Sequence, residues 1–95
     1  MLTIDDGRRI LQDGDDSPFA GMVRRELASA REKHPGCQRS LHEGYAVLLE
    51  EVDELWDQVK LRKEMRSNDA IVKELVQIAA MAQRTAEDLG LVSMG

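Results

Sequence analysis

The sequence predicts an all-α protein, a small antiparallel bundle of about three helices completed by oligomerisation. Three observations carry that reading. Apolar residues recur at helical spacing in three separate stretches, each opened by a capping residue. Phe19, Tyr45 and Trp56 are the only aromatics, so the 42% of hydrophobic residues is mostly Leu, Val, Ile, Ala and Met, a helical core composition. At 95 residues the chain has material for one modest core, and scaffolds of that size commonly gain stability by associating.

Residues 1–16 are rich in Asp and Gly and read as a loose arm that could dock on a neighbour; residues 17–95 form the single helical domain. Ser17-Pro18 marks the first helix start. The Ser hydroxyl can accept from the first turn, and Pro at the first helical position gives up an N–H that would have no partner anyway. Phe19, Met22, Val23, Leu27 and Ala30 share one face, and the helix should stop before Pro35-Gly36. Arg24, Arg25, Arg31 and Lys33 give this helix a basic side, either solvated or available to an anionic ligand.

Ser40 opens the central helix, with Glu43 completing a capping box. At about 100° per residue, Leu41, Tyr45, Leu48, Val52, Leu55, Trp56 and Val59 fall on one broad face, expected to be core. Glu43, Glu50, Glu54 and Asp57 fall opposite, with Glu51 toward one flank and Val47 in the middle of the acidic side. Tyr45 and Trp56 could stack on a base, but their position favours packing. His42, in the first turn, reads as a surface residue. Residues 61–68 hold a charged turn, and Ser67 or Asn68 caps the last helix. Ile71, Leu75, Ile78, Ala79, Ala82, Ala86 and Leu89 are phased along it, and Gly90 supplies the stop.

Several function classes drop out on composition. A single cysteine, Cys37, allows neither an internal disulfide nor a cysteine-built zinc site. No apolar run approaches the roughly 20 residues of a membrane span, and MLTIDDGRRI lacks a signal-peptide layout, so a cytoplasmic protein is expected. A net charge of -5 is the wrong sign for a nucleic acid polymer. It does not exclude nucleotides, because a divalent cation can bridge carboxylates to phosphate.

The acidic residues are the candidates for chemistry. Glu50, Glu51 and Glu54 repel one another, at a few tenths of a kcal/mol per pair on an exposed face and far more in a buried one. Glu74 lies at the edge of its helix's apolar face, between Ile71 and Ile78, where a carboxylate needs a cation or a metal. Lys73 and Arg84 flank it and could pair with it. Carboxylates from facing helices are also how bundles hold hard divalent cations.

Those two helices resemble the MazG-like all-α nucleoside triphosphate pyrophosphohydrolases, which carry E-E-x-x-E on one helix and E-x-x-D on the next. The first motif stands here as Glu50-Glu51-Val52-Asp53-Glu54; the second reads Glu74-Leu75-Val76-Gln77, with Gln in place of Asp. The resemblance covers about residues 40–89 and implies a bundle completed as a dimer or tetramer. It also implies Mg²⁺ as cofactor and hydrolysis of nucleoside triphosphates to monophosphate and pyrophosphate. By that resemblance Glu51, Glu54 and Glu74 hold the metal, and Glu50 is a further ligand or the base that orients water. Gln77 is a weaker, uncharged ligand, and Lys73 and Arg84 contact phosphate. An expectation from a different class stands beside it: a non-catalytic oligomerisation or interaction module that keeps the scaffold without the full metal set, motivated by Gln77.

Overall fold

A computed structural model describes residues 17–92; the predicted N-terminal arm lies outside them. Three helices, α1 (Pro18–Lys33), α2 (Leu41–Val59) and α3 (Asn68–Asp88), are joined by an extended connection and by a single 3₁₀ turn at Lys63–Met65. The caps fall where local chemistry puts them. The hydroxyls of Ser17, Ser40 and Ser67 accept from the N–H groups of Ala20, Glu43 and Ala70 at 3.1, 3.1 and 3.2 Å. The Glu43 carboxylate closes its box one residue further out than expected, on the Arg39 N–H at 2.7 Å. At the end of α3, Gly90 adopts φ 69°, Leu91 N–H donates to Ala86 O and Gly90 N–H to Glu87 O. That paired closure needs a left-handed residue, hence glycine.

α3 is the hub, with α1 and α2 both packed on it. The core is Val23 and Leu27 of α1 against Val76, Ala80 and Met81 of α3, with Val47 and Leu48 of α2 added at its edge. Ala80 is fully buried, which lets the helices approach closely. α2 approaches α3 through Gly44. A methyl group there would sit 2.6 Å from Thr85 Cγ2 and 2.8 Å from its hydroxyl, so glycine is required by the crossing itself. The Thr85 hydroxyl in turn donates to Gln38 Oε1 at 2.7 Å.

The expected core face of α2 is corrected by this crossing. Gly44, Val47, Leu48, Glu51, Leu55 and Gln58 are the side turned inward. Leu41, Tyr45, Val52, Trp56 and Val59 stay on the outside, with Tyr45 66% and Trp56 57% exposed. The physical reason is that only the Gly44 stripe is narrow enough to seat on Thr85. The bulky apolar residues are left as an unpartnered stripe, and neither Tyr45 nor Trp56 is positioned as core.

Candidate metal centre

Rotating α2 in this way carries Glu51 from the flank to the α3 interface. One oxygen from each of Glu51, Glu54 and Glu74 can be chosen so that all lie within 4.8 Å of one another. Adjacent ligands on an octahedral Mg²⁺ sit about 3 Å apart and opposite ones about 4 Å, so small side-chain rotations suffice to converge on one ion. Glu51 Oε1 and Glu74 Oε1 are both buried and accept no hydrogen bond. The ion pairs among the described residues leave all three carboxylates out.

Electrostatics follows from that geometry. The Glu51 carboxyl is pushed up to about 7, by burial first and then by Glu54, Glu74, Glu50 and Glu26. Glu74 is also raised, by burial and then by Glu54, while Lys73 pulls it the other way. Three hard oxygen donors, two of them buried and without a hydrogen bond, form a set that fits a divalent ion.

The centre adjoins a cleft. Because α1 and α2 stand apart on the common floor of α3, a space of about 520 Å³ opens between them. Gln77 and Met81 form its floor, Glu26, Ala30 and Lys33 line the α1 side, and Val47, Glu50 and Glu51 line the α2 side. Glu51 is therefore shared by the acidic group and the cleft. Glu50 is exposed and faces this space. A second groove, about 440 Å³, runs between α1 and α3 past Arg25, Glu26 and Lys73, and its lining includes none of Glu51, Glu54 and Glu74.

Arg84 has a different task from the phosphate contact expected of it, and it does not pair with Glu74. Its guanidinium is buried and donates to Asp88 at 3.2 Å, to the carbonyls of Ala30 and Gly36 at 3.3 and 2.7 Å, and to that of His34. Four bonds, two of them to carbonyls of the α1–α2 connection, leave it structural, although its side chain borders the cleft. Lys73 is exposed and stays available on the Glu74 side. Sequence reasoning missed Glu26 and Gln38, both of which line the cleft. Glu26 carried no motif, and Gln38 lies in a segment with no periodicity. Lys33, one of the cations expected to be either solvated or available to an anionic ligand, lines the cleft.

No family model, curated protein or solved structure matches the chain.

Proposed function

We propose that this protein is a Mg²⁺-dependent nucleotide pyrophosphohydrolase that hydrolyses the link between the α- and β-phosphates of a nucleoside triphosphate. The observation that carries this reading is the group of three carboxylates with two buried, orphaned oxygens and no cation among them. Glu51, Glu54 and Glu74 hold the ion, which supplies Lewis-acid polarisation and charge neutralisation at the phosphates. Glu50, exposed at the mouth of the cleft, accepts the proton of the attacking water and orients it. Lys33, which lines the cleft, and Lys73, exposed beside Glu74, would offset the remaining phosphate charge. The cleft takes the rest of the substrate.

The protein works in this proposal as a homo-oligomer, a dimer or tetramer, in the cytoplasm. The exposed stripe of Leu41, Tyr45, Val52, Trp56 and Val59 supports association, since a run of large apolar side chains along one helix commonly marks an interface. No helix among the described residues is long and apolar enough to cross a membrane. That same stripe favours the second reading, a non-catalytic module acting through association alone.

A screen for pyrophosphate release over ribo- and deoxynucleoside triphosphates, with and without Mg²⁺, separates the two. The enzyme reading expects Mg²⁺-dependent release that disappears in Glu51→Gln and Glu74→Gln while both variants stay folded. No release from any substrate by folded protein would leave the interaction module.

A further inference from the structure

The groove of about 440 Å³ between the N-terminal parts of α1 and α3 has a lining unlike that of the cleft. Val76 is buried, Val72 half-buried and Met22 exposed, so its apolar lining runs from the core out to the surface. The rim carries both signs, with Arg25 and Lys73 as cations and Glu26 and Asp69 as carboxylates. None of these four side chains enters an ion pair among the described residues. A purely anionic ligand would meet Glu26 and Asp69, and a purely cationic one Arg25 and Lys73. The groove suits an apolar segment flanked by charges of both signs. It also lies at the end of the fold where the chain enters α1, since Met22 sits just past the first turn of that helix.

The chain before Ser17 carries such a segment. Ile10 and Leu11 stand side by side, preceded by Arg8 and Arg9 and followed by Asp13. We propose that residues 8–13 fold back along α1 and seat Ile10 and Leu11 in this groove, with Arg8 and Arg9 toward the carboxylates of the rim and Asp13 toward its cations. The path is long enough. From Ser17 back to Leu11 the extended chain reaches about 20 Å, whereas Met22 and Glu26 lie about 8 and 14 Å from Ser17 along the helix. The remainder allows for the reversal, and Asp13-Gly14 is a turn-forming pair at the place where it is needed. Being tethered, the segment meets the groove at an effective concentration on the order of millimolar, so a contact too weak to hold a free peptide fills it. Glu26 lines both this groove and the cleft, so the seated arm adjoins the cleft beside the carboxylates.

The test places a spin label on the full-length chain at Gln12→Cys, in a Cys37→Ser background that removes the other thiol. Amide signals of Val72, Lys73 and Val76 should lose intensity through paramagnetic broadening, and should recover it when Ile10→Asp and Leu11→Asp are added. The loss should persist when spin-labelled chains are diluted into chains without the label. Ile10 and Leu11 lie outside the three helices, and otherwise unchanged amide positions would show that the double variant keeps the fold. Equal broadening with and without the two substitutions would reflect only the nearness of a tether, and would overturn the proposal. So would broadening centred on Tyr45 and Trp56, which would put the arm on the outer stripe of α2, or no broadening in α3 at all. In a mixed sample, broadening of isotope-labelled chains by spin-labelled neighbours would also overturn it, because a second copy's arm would then fill the groove.

Discussion

The two ends of α3 treat buried charge in opposite ways. At its C-terminal end, the Asp88 side chain is 2% exposed and is satisfied on every side. It accepts from Arg31 at 2.7 Å, Arg84 at 3.2 Å and the Gln38 N–H at 3.0 Å, while Glu87 accepts from Arg31 at 3.0 Å. Burial pushes the Asp88 carboxyl up, but those donors outweigh it and hold it below the ordinary carboxylate value. About 21 Å back along the helix, Glu74 meets Glu51 and Glu54 with no donor on its buried oxygen, and both Glu51 and Glu74 are raised. One cluster closes on itself and fixes the α1–α2 connection. The other holds like charges together with two buried oxygens that accept no hydrogen bond. A chain this small gains nothing for stability from three crowded carboxylates, so the difference marks the second cluster as the candidate for a site.

That contrast predicts opposite responses to substitution. The largest effect should come from removing the cation that completes the closed cluster. Arg84→Met leaves Asp88 short of a donor and frees three main-chain carbonyls, and should cost about 3–5 kcal/mol in urea unfolding. At the other end Glu51→Gln should stabilise the metal-free protein at pH 8, by about 1–2 kcal/mol after allowance for solvent screening. It should also abolish the response to Mg²⁺. A loss of stability in Glu51→Gln would erase the distinction between the two clusters.

Titration sharpens the same comparison. Glu51 binds its proton more tightly in the folded state, so ionising it opposes folding. Metal-free stability should therefore decline as pH rises from about 4.5 to about 7. Asp88 has the opposite sign, stabilising above its unfolded pKa and ceasing to do so as pH falls through its depressed folded value. In Glu51→Gln the decline should flatten while the acid limb persists, readable from denaturant midpoints across pH. Mg²⁺ affinity should weaken below about pH 7 as Glu51 takes up its proton.

The smallest effect on folding belongs to the outer stripe. Trp56 is mostly exposed, so Trp56→Lys should change the stability of the isolated chain by no more than about 0.5 kcal/mol. It should nevertheless lower the mass measured by sedimentation if the stripe joins copies of the chain. An unchanged mass would remove that surface from the association.

The helix boundaries were legible because caps are local chemistry. Ser17 before Pro18, Ser40 before Glu43, and Gly90 each act within one turn, so the residues identify themselves. The inward stripe of α2 was not legible. It is set by Gly44 meeting Thr85, a contact across the fold, and hydrophobic phase alone pointed to the wider face carrying Tyr45 and Trp56. Glu74 stood out because a carboxylate at the edge of an apolar face conflicts with its surroundings, and Glu51 and Glu54 because they crowd one helix in the E-E-x-x-E run. Glu26 on α1 did not, since nothing in its own helix says what it faces. Arg84 was misjudged for the same reason. Its neighbour in sequence space was Glu74, whereas the carbonyls it binds belong to Ala30, His34 and Gly36.

The most direct test of the proposed cation site is thermal unfolding at pH 8, above the raised value of Glu51, with increasing Mg²⁺ for wild type and Glu51→Gln. Wild type should gain stability with the logarithm of Mg²⁺ concentration, by about 1.4 kcal/mol at ten times the dissociation constant, and the variant should not respond. No shift in wild type, or an equal shift in both, would contradict a cation site built on Glu51, Glu54 and Glu74.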